Sequence, residues 1–198
     1  PGLPWEDLKP ILTQILDALQ YMSSKHILHH DLKPSNIFVT CAGVAKLVDF
    51  GIARSHQPST ETHTLGYVHG TCDYMAPEFS WTPDSEFAGN EASEIFSLGV
   101  VMYEAVTGRL PFKRIEDGMR GHVNLWATGP RPKIEFKDLT FRIWSGLRTC
   151  INRCLEFDPK LRPTSFHQLA EELERIRPFQ VPPKGLADVY EYVSPIGV

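Results

Sequence analysis

Within the eight residues His29-His30-Asp31-Leu32-Lys33-Pro34-Ser35-Asn36 stand an acid, a cation and an amide. Thirteen residues beyond Asn36 comes a second acid, Asp49, followed by Phe50-Gly51. Residues of these types at these spacings could handle the phosphates of a nucleotide. A carboxylate at Asp31 can accept the proton of an attacking hydroxyl. Lys33 offers a compact positive charge to a phosphoryl group in transfer. Asn36 and Asp49, brought side by side, would present hard oxygen ligands to Mg²⁺, completed by water and phosphate oxygens. A metal clamp, a base and a cation are the minimum equipment for phosphoryl transfer. Singly, each residue says little, since a lone Asp or Lys in a loop is usually solvated. The ordered combination carries the reading.

The surrounding pattern supplies elements that could position these groups. Ile37-Phe38-Val39 and Ala45-Lys46-Leu47-Val48 are short β-type runs separated by Thr40-Cys41-Ala42-Gly43-Val44. They predict a hairpin with Gly43 in its turn. Pairing 37–39 with 45–48 would bring Asn36 and Asp49 out at the same open end. Upstream, Leu8, Ile11, Leu12, Ile15, Leu16, Leu19 and Met22 recur at helical period over residues 6–25. Pro4 ahead of them and Glu6 and Asp7 in the first turn suit a helix start.

From Glu94 to Thr107 the sequence is apolar nearly all round, which predicts a helix buried on most sides and stopped at Gly108. Two more helices are expected over 139–155 and 165–176. The second has Thr164 or Ser165 as N-cap and Gln168 available for a capping box. Arg54–Thr71 is polar and without period, as in a surface loop, and the prolines from residue 178 onward read as a tail.

The chain has 198 residues, 42% of them hydrophobic, enough for one domain with a sizeable core. Its 20 basic and 24 acidic residues give a formal net charge of −4, which argues against a nucleic-acid or membrane-surface partner. No apolar run has the length of a membrane span. The cysteines, Cys41, Cys72, Cys150 and Cys154, form no C-x-x-C pair. Cys150 and Cys154 stand one helical turn apart, which suits core packing and an intracellular, reducing compartment. Pro1 opens the sequence and the first methionine is Met22, so a piece of a longer protein is expected.

Taken together, these motifs resemble the large, C-terminal lobe of a eukaryotic Ser/Thr protein kinase, from about Glu6 to Arg177. His29–Asn36 resembles the catalytic loop, Asp49-Phe50-Gly51 the metal-binding motif, and Ala76-Pro77-Glu78 the motif closing the activation segment. Leu98-Gly99 falls in the buried helix's motif. The resemblance implies a mainly α fold with a small β-hairpin at the catalytic face, a partial kinase domain over residues 1–177 and a tail over 178–198. It implies Asp31 as base, Lys33 as phosphate cation, Asn36 and Asp49 as Mg²⁺ ligands, and Phe38 as one face of the adenine pocket, with ATP as phosphoryl donor. The run Lys33-Pro34-Ser35-Asn36, with Gly70-Thr71 ahead of Tyr74, implies a Ser/Thr hydroxyl of a protein as acceptor. It also implies a structural ion pair, Glu78–Arg162.

Three departures from the family pattern accompany the match. His30 stands where many members have the Arg that holds a phosphorylated loop, so activity is expected not to depend strongly on phosphorylation at Ser59, Thr60, Thr62 or Thr64. Glu94 stands where the family has an Asp that accepts backbone N–H bonds from the catalytic loop. The glycine-rich loop, the strand Lys and its Glu partner of the small lobe have no counterpart in the 198 residues, so the chain by itself is expected to be inactive. The competing reading is a catalytically silent, kinase-like binding module.

The weaker signals read as ordinary structure. Arg109–Arg114 is expected to be the loop after the buried helix, with Phe112 tucked in. His56, His63 and His69 lack metal-ligand spacing, and Val181-Pro182-Pro183-Lys184 reads as tail.

Overall fold

The computed structural model describes residues 2–49, 54–55, 72–80, 89–112, 115, 118–128, 134–136 and 145–177. Helix α1 spans Trp5–Ser24, with Pro4 before it and Glu6 and Asp7 in its first turn. Trp5, Leu8, Leu12, Ile15, Leu16 and Leu19 form its buried stripe, the 3.6-residue period expressed as one face turned inward. The chain then runs through the short strand β1 (Ile27–Leu28) and the His29–Asn36 loop into the hairpin β2 (Ile37–Val39) and β3 (Ala45–Leu47).

Pairing in the hairpin is antiparallel, with Ile37 opposite Leu47 and Val39 opposite Ala45. Gly43 turns it at φ 75°, a left-handed conformation that costs glycine nothing. A second pairing departs from the loop expected over 54–71: Arg54–Ser55 forms strand β4, antiparallel to β1. Two residues give no period to read. The rest of that loop, with the histidines and hydroxyls noted above, lies outside the described residues, as do Phe50, Gly51, Lys113, Arg114 and 178–198.

Helix α2 spans Glu91–Thr107. It starts one turn before the apolar run because Asn90 caps it, its side chain accepting the Ser93 N–H. Ile95, Phe96, Leu98, Val100, Val101, Met102 and Tyr103 are all buried, and Gly108 ends the helix in the left-handed conformation at φ 74°. Helix α3 (Gly118–Val123) continues into a π-helical turn, Asn124–Thr128. Its sequence, with two glycines and no apolar period, escaped expectation.

Helix α4 (Ser145–Cys154) is the described part of the helix expected over 139–155. Helix α5 spans Phe166–Arg175, with the Ser165 side chain accepting the Gln168 N–H. The capping glutamine reaches back to Thr164, accepting from both its N–H and its hydroxyl.

The core is organised around α2, with α4 packed on it and α5 packed on α1. Gly99 makes the α2–α4 approach possible, for a Cβ there would stand 2.7 Å from Cys154 Cβ. Cys150 and Cys154 are buried, as expected. Phe112 lies parallel to Phe96 at 6.0 Å and meets Trp126 edge-on at 4.9 Å, closing the core beyond the end of α2. No described helix is long and apolar enough to cross a membrane.

Candidate active site

The Asp31 loop is built on two hydrogen-bonded supports. His29, fully buried, lies against the Val48 carbonyl through Nε2 at 3.1 Å and accepts the Asp31 N–H on Nδ1 at 3.3 Å. A carbonyl can only accept and an N–H can only donate, so the ring is the neutral Nε2–H tautomer. Burial, which lowers its pKa, favours the same state. One imidazole thus ties the loop to the hairpin. The second support is Glu94 in α2, whose Oε1 accepts the His30 N–H at 2.6 Å. The longer acid reaches the loop that the family's shorter one holds.

Asp31 is buried, and two side chains converge on it. Lys33 Nζ is 2.7 Å from Oδ2. Asn36 Nδ2 donates to the same Oδ2 at 2.9 Å and to the Asp31 carbonyl at 2.8 Å. With Nδ2 committed to Asp31, Asn36 has Oδ1 to offer a cation. The Val48 N–H donates to the Asn36 carbonyl at 3.0 Å, extending the hairpin by one rung and carrying Asp49 to the same end. Asp49 is solvent-exposed and sits at φ 63°. Asp31 and Asp49 both act electrostatically on His29.

This donor set suits Mg²⁺, a hard cation usually held by one or two protein oxygens with phosphates and water filling the remaining positions. Among the described residues no group of three or more His, Cys, Asp or Glu could hold a metal ion. Phe38 is 59% exposed on β2.

A second set of contacts fastens residues 72–80 to the body. Glu78 and Arg162 form a two-pronged pair, Nη1 to Oε1 and Nη2 to Oε2, each 2.8 Å, as expected from sequence. Ser93 Oγ adds a donor to Glu78 at 2.8 Å. Asp73 Oδ1 accepts the Ile115 N–H at 2.6 Å, and the Tyr74 hydroxyl donates to Glu104 at 2.6 Å. His122 Nε2 meets the Met75 carbonyl at 3.2 Å, and burial pushes the His122 pKa down to about 4.

A family model for the protein kinase domain matches residues 2–173. The chain belongs to the protein kinase family. Among its relatives, serine/threonine-protein kinase pkn2 of Myxococcus xanthus is 33% identical over 171 residues, covering 83% of this chain and 20% of that protein. The probable serine/threonine-protein kinase PkwA of Thermomonospora curvata is 33% identical over 192 residues, covering 96% of this chain and 24% of its own length. Serine/threonine-protein kinase PknA of Mycobacterium tuberculosis is 35% identical over 184 residues, covering 89% of this chain and 40% of its own length. The chain therefore spans well under half the length of these curated relatives.

Of the residues singled out from the sequence, Lys33 and Asn36 meet on Asp31, and the Val48 rung carries Asp49 to the Asn36 end of the hairpin. Thr71, which with Gly70 implied the Ser/Thr class, lies outside the described residues. Sequence reasoning missed the supporting role of His29 and the ties made by Asp73, Tyr74, Ser93 and His122. A fully buried polar residue cannot be told from an exposed one without a structure. The one signal in the chain was the fixed distance of His29 from Asp31.

Proposed function

We propose that this chain carries the phosphoryl-transfer face of an ATP-dependent protein serine/threonine kinase, and that the activity belongs to a longer protein. The observation that supports this reading best is the convergence of Lys33 and Asn36 on one oxygen of buried Asp31. Those two contacts orient the carboxylate and leave Oδ1 to meet an incoming hydroxyl. Asp31 accepts the proton of a Ser or Thr hydroxyl on a protein substrate, and Lys33 stabilises charge on the phosphoryl oxygens in transfer. Asn36 Oδ1 and Asp49 hold Mg²⁺, which when bound neutralises the phosphate oxygens of ATP. Phe38, exposed on β2, offers an apolar face to adenine. Lys33-Pro34-Ser35-Asn36 supports a Ser/Thr acceptor by family resemblance.

The glycine-rich loop and strand Lys that complete the family's nucleotide site are not among these 198 residues. The chain alone is accordingly expected to transfer no phosphate. In a longer protein that includes them, transfer from radiolabelled ATP to a Ser/Thr peptide is expected to require Mg²⁺. Asp31→Asn should lower kcat by roughly 10²–10⁴-fold, with little change in thermal stability. A longer protein that binds ATP yet gives equal transfer for wild type and Asp31→Asn would exclude this assignment. No transfer from either would favour the silent binding module.

A further inference from the structure

Glu94 is 4% exposed and lies one turn into α2. Its carboxylate is held by backbone N–H groups of the Asp31 loop, with the His30 N–H at 2.6 Å from Oε1. The charged groups packed around it are otherwise engaged. Glu91, on the same helix, accepts from the Ser23 hydroxyl and from the Phe166 N–H. His29, on the loop, is neutral between Val48 and Asp31. Lys33 sits on Asp31. Arg162, beyond Ser93, is closed on Glu78. Among the described residues no cation pairs with Glu94, so burial favours its protonated form and only the N–H donors hold it ionised.

The residue it holds is unusual. His30 has φ 63°, a conformation that residues other than glycine rarely adopt. Its ring lies against Gly89, where an added Cβ would stand 3.1 Å from His30 Cε1 and 3.3 Å from Phe79 Cζ. His30 immediately precedes Asp31. Its backbone orientation therefore sets where the Asp31 carboxylate points.

We propose that Glu94 is a proton-operated positioning residue: ionised, its carboxylate fixes the backbone ahead of Asp31, and protonation loosens that hold. On protonation the carboxyl loses its charge-assisted grip and gains an O–H that faces donors rather than acceptors. Burial pushes the Glu94 pKa up to about 7, with Glu91 adding to the rise and the His30 and His29 N–H groups opposing it. The change therefore falls within the physiological range. The catalytic consequence rests on the proposed kinase reading; the structural consequence does not.

The test follows the chain itself, labelled with ¹³C at glutamate Cδ and ¹⁵N in the backbone, across roughly pH 5.5–8.5. The Glu94 carboxyl carbon and the His30 amide are expected to move together with a midpoint near 7. In Glu94→Gln the part of the His30 shift with that midpoint should vanish. A Glu94 midpoint in the ordinary carboxylate range, or an unchanged His30 curve in Glu94→Gln, overturns the proposal. If the Gln variant does not fold, Glu94→Asp should move the His30 midpoint with that of the new acid, and a static midpoint overturns the proposal equally. In an active longer protein, kcat at saturating MgATP should fall severalfold from pH 8 to 6 in wild type and stay flat in Glu94→Gln. Identical profiles overturn the proposal. Absence of all activity counts against the kinase reading and leaves the titration to decide this one.

Discussion

Arg162 illustrates what a single buried residue commits the fold to. All five of its N–H groups have acceptors: both Glu78 oxygens and the carbonyls of Ala92, Glu156 and Phe157. Its guanidinium lies 4.9 Å over the Phe96 ring. Removing one partner of such a pair strands a charge in the interior, at a cost of about 3–5 kcal/mol. Urea unfolding of Arg162→Ala and of Glu78→Ala should show losses of that order, and the double variant should lose less than their sum. Arg162→Lys should fail to rescue, because an ammonium cannot reproduce the planar fork. The pair was legible in the sequence because both members sit in short motifs of known spacing. The three carbonyls were not, since backbone acceptors leave no mark on residue type. The same holds for His29, whose ring is read from its two partners and not from its neighbours in the chain.

At the scale of elements, the hairpin is held by a helix as well as by its own rungs. From α1, Gln14 donates to the Gly43 carbonyl at 3.0 Å and accepts the Ala45 N–H at 3.0 Å. Its carboxamide acts as an extra rung at the turn, at the opposite end from Asn36 and Asp49. Gln14→Ala removes two partly exposed hydrogen bonds, worth roughly 1 kcal/mol each. It should speed hydrogen exchange at Ala45 about tenfold or more, while the α1 amides stay protected. The α2–α4 contact is less forgiving. Gly99→Ala would place its Cβ 2.7 Å from that of Cys154, and neither helix backbone can give way cheaply. A loss of about 1–3 kcal/mol is expected in thermal unfolding. Helices α1, α2 and α5 were legible because each shows a long apolar pattern. Strands β1 and β4 and helix α3 were not, because two residues or a glycine-broken turn carry no period and are held by tertiary pairing alone.

For the molecule as a whole, two buried groups set opposite slopes of stability against pH. Glu94 has its pKa raised from 4.5 to about 7, so the folded state binds the extra proton between those values, and stability falls as pH rises through the window. His122 has its pKa lowered from 6.5 to about 4, so there the unfolded state binds the extra proton and stability rises with pH. His29, also lowered by burial, adds to the rise. Each of the first two shifts corresponds to roughly 3 kcal/mol across its window. Between about pH 4.5 and 6.5 they oppose one another one proton for one, and His29 leaves a small upward tilt. From there to about 7 the Glu94 slope stands alone and bends the curve down.

Wild-type stability from urea unfolding should therefore vary little across the acid range and peak near pH 6.5. Removing one side of the balance exposes the other. Glu94→Gln should gain roughly 3 kcal/mol between pH 4.5 and 6.5, following the histidines alone. His122→Phe should instead fall steadily over the same interval, following Glu94. Parallel curves for the two variants would mean that neither group titrates as its burial dictates. Divergence in these directions would tie the acid side of the molecule's stability to two residues on the helices that flank the 72–80 segment. One of them touches the loop of Asp31 and the other the carbonyl of Met75.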